Sequence, residues 1–130
     1  MTTFADFERE WTRCEPWLQA ALDTARDDRT LDDIFYAVCV DEMQFWPGED
    51  SAVVTQLLDH PNGRRECNVL LAGGSLATLQ KMLVEIERFA RANTATVMTV
   101  LGRKGWERSF LTRDAGYRPV ATFYRKDLDG

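Results

Sequence analysis

Val69-Leu70-Leu71-Ala72-Gly73-Gly74-Ser75-Leu76 is the stretch that decides the fold. An almost wholly apolar run that stops at two glycines reads as a strand buried in the interior of a sheet. Gly73-Gly74-Ser75 then leads into a helix whose apolar positions, Leu76, Leu79, Leu83, Ile86 and Ala90, recur at helical spacing, with Met82 and Phe89 widening the stripe. Asn93 is the stop signal. Thr94-Ala95-Thr96-Val97-Met98-Thr99-Val100-Leu101 alternates β-branched and small residues as a strand does. A strand, a long helix and a second strand form a crossover, which favours parallel, right-handed pairing.

Working back from that stretch, the first strand of the crossover is expected over Arg65 to Ala72. His60-Pro61-Asn62-Gly63 precedes it as a hairpin turn, and Ser51 to Leu58 is the β-branched strand on the other side. Pro47-Gly48-Glu49-Asp50 is a second turn, after a short strand at Met43 to Trp46. These three strands form an antiparallel meander. Before them, Phe4, Phe7, Trp11, Cys14, Leu18, Ala21 and Leu22 recur as one buried face of a helix. Pro16 predicts a break near Cys14, or a second helix opening at Glu15 with Pro16 in its first turn. After the polar connection Arg26-Asp27-Asp28-Arg29, Thr30 caps a helix striped by Leu31, Ile34, Phe35 and Val38. Downstream, Trp106 to Arg113 reads as a short helix ending near Gly116, and Tyr117 to Lys126 as a last strand. Without repeat, linker or low-complexity segment, residues 1–130 read as one α/β (α+β) domain with a mixed, mostly antiparallel sheet.

Composition narrows the class. At 130 residues, 45% hydrophobic and 11% aromatic, the chain has the means to bury a core. No apolar run approaches the ~18–20 residues of a membrane span, and the acidic N-terminal stretch lacks the pattern of a secretory leader, so a cytoplasmic protein with no membrane contact is expected. Three scattered cysteines, Cys14, Cys39 and Cys67, and the single His60 argue against a metal site or a disulfide framework. Each cysteine is expected as a buried free thiol, with a reactive Cys67 as the alternative. Residues 1–50 carry 13 acids and 4 bases, whereas residues 51–130 carry 8 acids and 12 bases. The acidic first part speaks against nucleic acid as a partner; the basic remainder suits an anionic ligand, or simply complements the acidic part.

The order of elements, together with Val69 to Leu76, the helix Leu79 to Ala90, Gly102-Arg103-Lys104-Gly105-Trp106-Glu107 and Gly116-Tyr117-Arg118, resembles the GNAT family of N-acetyltransferases. The last two blocks are similar to those of small GNAT-like proteins encoded by tailed phages and prophage-derived elements. The resemblance implies acetyl-CoA entering where the crossover strands splay, its pyrophosphate on the backbone at the start of the long helix. The cofactor-binding candidates are Leu71, Ala72, Gly73, Gly74, Ser75 and Arg103. A Gly-Gly turn with Ser75 as a plain helix cap is the competing reading of the same residues. Likewise Arg103, Lys104 and Trp106 read either as a ligand-facing loop or as an ion pair and a core filler.

The catalytic pattern is departed from. Gly105 stands where the family often has Asn, and Thr112 where it often has the Tyr that protonates the departing thiolate. Tyr117 and Tyr124 are substitutes to consider, and Glu42 and Glu66 are candidate bases near strand ends. Two functions follow from the resemblance: acetyl transfer from acetyl-CoA to an amine acceptor, or a GNAT-like phage protein without catalysis that acts in virion assembly or binds a phage or host protein. The first places the chain in the cytoplasm (of the host, if phage-encoded), the second allows the virion; oligomeric state is open.

Overall fold

A computed structural model describes residues 3–25, 28–100, 110–120, 124 and 126–128. In chain order these form α1 (Phe4–Ala25), α2 (Leu31–Cys39), β1 (Gln44–Pro47), β2 (Ser51–Asp59), β3 (Arg65–Gly74), α3 (Leu76–Ala92), β4 (Val97–Val100) and α4 (Phe110–Arg113). The sheet has the order β1-β2-β3-β4, antiparallel up to β3 and parallel between β3 and β4, as the meander and the crossover require.

α1 runs unbroken through Pro16, which overturns the expected break. Proline removes one backbone bond there. The buried stripe Trp11, Cys14, Leu18, Ala21 and Leu22 nevertheless passes across it without interruption, and Pro16 itself faces solvent. Burial of that stripe against the sheet outweighs the local defect. Thr30 caps α2 in a reciprocal box: its hydroxyl accepts from the Asp33 amide at 3.2 Å and the Asp33 carboxylate accepts from the Thr30 amide at 2.9 Å.

Two cores sandwich the sheet. On one face α1 and α2 enclose Trp11, Leu18, Ile34, Ala52, Val54, Leu70 and Leu71. On the other, α3 encloses Val53, Cys67, Val69, Leu79, Leu83 and Ile86, with Leu111 of α4. Strand alternation divides β2 and β3 between these cores, with one interruption. Val54 pairs with Leu71 but Thr55 with Val69, so Leu70 is an unmatched extra residue. This bulge turns Leu70 and Leu71 both toward α1, while Cys67 and Val69 face α3.

Other boundaries differ from the pattern-based ones. β3 runs on through Gly73 and Gly74, paired with Ala52 and Ser51, so the glycines are strand residues and not a turn. Leu76, expected in the stripe of α3, is 46% exposed, because the first helical position lies beyond the edge of the core. Cys39 ends α2 on its solvent side and is exposed, unlike Cys14 and Cys67. Asn93 ends α3, and Thr94 takes a left-handed conformation at φ 65°. β4 starts at Val97 and not at Thr94, and Leu101 lies outside the described residues, as do Trp106 to Ser109 of the expected helix.

The expected strand Tyr117 to Lys126 is not found among its described residues. The Tyr117 amide donates to the Leu111 carbonyl at 2.8 Å and its hydroxyl to Glu87 of α3 at 2.7 Å. Those bonds tie the start of the segment to the helical layer, and Val120 and Tyr124 are 80% and 87% exposed. Residues 121–123 and 125 of the expected strand lie outside the described residues. Among the described residues no helix is long and apolar enough to cross a membrane.

Candidate functional site

The two crossover strands stay together for four rungs, from Glu66↔Val97 to Val69↔Val100. The next residue of β3 is the bulged Leu70, and β3 stays paired with β2 as far as Gly74, while the residues that follow Val100 lie outside the described ones.

At the end of β3 stands the start of α3. Ser75 adopts an extended conformation and its hydroxyl accepts from the Thr78 amide at 3.4 Å. The Ser75 amide is taken by the Asp50 carbonyl at 3.3 Å. Among the described residues the amides of Leu76 and Ala77 have no such partner, and they carry the positive end of a 17-residue helix.

Leu71, Ala72, Gly73, Gly74 and Ser75 lie in sequence along the end of β3 and the cap of α3, while Arg103 lies outside the described residues. Their side chains have other duties. Leu71 is 2% exposed in the α1 core, so it can present only backbone to a ligand. A methyl group on Gly73 would come within 2.3 Å of the Trp17 carbonyl oxygen, and one on Gly74, at φ 109°, within 2.4 Å of the Asp50 carbonyl oxygen. Both glycines are thus demanded by the close approach of α1 and of the β1–β2 turn. That turn is held in place by Arg13, which donates to the carbonyls of Gly48 at 2.7 Å and Glu49 at 3.0 Å.

Four residues below the bulge, on the side of the sheet away from α3, five polar side chains are wired together. Gln56 Nε2 donates to Asn68 Oδ1 at 3.2 Å, and Asn68 Nδ2 donates to Thr99 Oγ1 at 2.8 Å. Thr99 Oγ1 donates in turn to Glu66 Oε2. The other oxygen of Glu66 lies 2.8 Å from His60 Nε2. Glu66 is 16% exposed and His60 45%, so the carboxylate is drawn into the protein while the imidazole faces water. Among the described residues no buried side-chain polar atom lacks a partner.

Of the candidate bases, only Glu66 enters this network. Glu42 lies exposed in the connection between α2 and β1. Tyr117 is committed to Glu87, and burial first, then that bond, pushes its phenol far above the ordinary range, which disqualifies it as a proton donor near neutrality. Tyr124 stands in solvent. Burial also pushes the Cys67 thiol up to about 11, so it is no nucleophile. Gln56, His60, Asn68 and Thr99 escape a reading by motif because they are spread over three strands and a turn. The signal that finds them is register: Gln56↔Asn68 and Asn68↔Thr99 are rungs of the sheet.

No family model matches the sequence, and no curated protein matches it. The fold does have a solved counterpart. The crystal structure of an acetyltransferase from Trypanosoma brucei superposes with a TM-score of 0.58 at 10% identity, covering 88% of this chain and 94% of that one. The chain therefore shares the fold of that acetyltransferase, with α1 and α2 ahead of the meander and the crossover through α3 behind it.

Proposed function

We propose that this chain transfers an acetyl group from acetyl-CoA to an amine. The observation that carries the reading is the capped start of α3, with the amides of Leu76 and Ala77 turned outward at the end of β3, in a chain that shares the fold of an acetyltransferase. The backbone fits the donor: the amides of Leu76 and Ala77 suit a pyrophosphate. Bound there, the thioester supplies an activated acyl carbon.

The chain's own part is to receive a proton. An amine is a nucleophile only once it is neutral, and Glu66 is the candidate carboxylate on β3, the strand that leads into α3. Its Cα lies roughly 13 Å along β3 from that of Leu70, at ~3.3 Å per residue, so the proton crosses through water. As the C–N bond forms and the C–S bond breaks, the sulfur leaves as a thiolate. Thiols ionise near 8.5, so this group departs without a phenol to protonate it, and Thr112 in the place of Tyr is no obstacle.

Calorimetry with acetyl-CoA tests the reading. A change at Gly74 is unsuitable, since the steric conflict there would disturb the fold itself. Leu76→Glu is the informative variant: the site is exposed, and a carboxylate in the first helical turn favours the helix while repelling phosphate. Micromolar binding weakened at least tenfold in this variant is the expected result. Absence of heat from folded wild-type protein would overturn the reading and redirect the search to protein partners.

A further inference from the structure

Charge is sorted by region along this chain, and exposed apolar side chains lie at both extremes. Residues 30–42 hold four acids, Asp32, Asp33, Asp41 and Glu42, and no base. Residues 117–126 hold three bases, Arg118, Arg125 and Lys126, and no acid. α2 buries Ile34 and Ala37, while Asp32, Tyr36 and Cys39, with Val40 at its cap, form an exposed stripe on its opposite side. Tyr36 is 66% and Val40 43% exposed. In the C-terminal segment Val120, Tyr124 and Leu128 stand out further still. We propose that these are the two halves of one interface, in which the C-terminal segment of one copy of the chain docks on the outer face of α2 in a second copy.

Geometry selects a second copy over the chain's own α2. Tyr117 packs against the α3 core and is held by Leu111 and Glu87, whereas α2 belongs to the core on the other face of the sheet. Val120 is only three residues past that anchor, a span of at most ~11 Å, and the sheet stands between it and α2. Charge selects the surface within the second copy. Four acids without a base keep α2 from pairing with another α2, and they suit a basic segment. Asp33 is occupied in the cap of α2, which leaves the exposed Asp32, Asp41 and Glu42 to meet bases. About a twofold axis the contact forms twice, each α2 receiving the other copy's segment. Tyr36 and Tyr124 supply the rigid aromatic area that such contacts favour.

Sedimentation velocity over a series of protein concentrations tests this directly. The wild type is expected to form a dimer that weakens as salt is added. Tyr36→Asp and Val120→Asp should each weaken it roughly tenfold or more, because each sets a charge in the apolar part of the contact. Both side chains face solvent in the single chain, so circular dichroism should show the fold intact. Val84→Asp is the control: Val84 is also exposed, but it lies on α3, outside the proposed contact, and its change should leave the dimer unaltered. An equal loss in that control would put the interface elsewhere and overturn the proposal.

Charge reversal gives the second reading. Asp32→Lys with Glu42→Lys alters α2 in one chain, and Arg118→Glu with Lys126→Glu alters the segment in another. Each double variant alone should be mostly monomeric. Mixed in equal amounts they should associate again, since the unaltered α2 then meets an unaltered segment and the two altered surfaces meet each other. A wild type that stays monomeric at every concentration would overturn the proposal, as would a mixture that fails to associate. The outcome is independent of acetyl transfer, because neither acetyl-CoA nor an amine enters the measurement.

Discussion

The two ends of β3 are built on opposite plans. Its C-terminal end is made of backbone: Gly73 and Gly74 have no side chains because the Trp17 and Asp50 carbonyls already occupy that space. Its N-terminal end is made of side chains: Glu66 and Asn68 reach across to β2, β4 and the turn and are bonded to each other through Thr99. The first end is settled by steric exclusion and tolerates no addition. The second is settled by hydrogen-bond direction and tolerates isosteric change at small energetic cost. Architecture and chemistry share one strand, divided by the bulge at Leu70.

The largest effect should come from violating the first plan. Gly73→Ala places a methyl group 2.3 Å from the backbone oxygen of Trp17, and backbone in the middle of α1 cannot step aside. The expected destabilisation is about 3 kcal/mol or more, at the upper end for overpacking. Urea unfolding would measure it. A loss below about 1 kcal/mol would mean that α1 is less closely seated on β3 than these distances say, and the contrast between the ends would collapse.

This contrast explains what could be read from sequence. The glycine pair announces itself, but its composition is the same whether it serves a phosphate or a neighbouring helix; only the position of Trp17 decides. The stripe of α3, the cap at Thr30 and the His60-Pro61-Asn62-Gly63 turn were legible because each is a local pattern with a local cause. Pro16 misled because the rule it obeys is local while the stripe that overrides it is tertiary. The polar network was invisible for the same reason in reverse. Gln56 and Thr99 are 43 positions apart and share a network only through the registers of β2, β3 and β4.

A second prediction uses pH to probe the face beneath the network. Cys67 sits behind Glu66 with its thiol raised from 9.0 to about 11, chiefly by burial. The unfolded chain loses this proton first, so between those values the unfolded state binds fewer protons and is favoured as pH rises. The stabilising contribution is complete below pH 9 and is lost as pH climbs through about 11. Denaturation at pH 8 and at pH 10.5 should show an alkaline loss of stability that Cys67→Ala reduces. An unchanged slope in that variant would place the alkaline sensitivity elsewhere, with Tyr117 the next group to test, since its phenol is raised in the same direction.

The smallest effects discriminate best between the plans, because they report coupling rather than damage. Ser75→Ala removes the cap at the glycine end and should cost about 1 kcal/mol. Gln56→Ala and Thr99→Val, at the wired end, should cost roughly 0.5–1.5 kcal/mol each. Combined in pairs, Ser75→Ala with Gln56→Ala should add, because the two sites share no partner and lie at opposite ends of the strand pair. Gln56→Ala with Thr99→Val should fall short of the sum by about 0.5 kcal/mol or more, because both act through Asn68: once the Thr99 hydroxyl is gone, the orientation that Gln56 imposes on the Asn68 amide has nothing left to serve. Additivity within the wired end would mean that the side chains are neighbours without being a network. Coupling across the bulge would mean that the two ends respond as one body, and that the start of α3 is linked to the network below it.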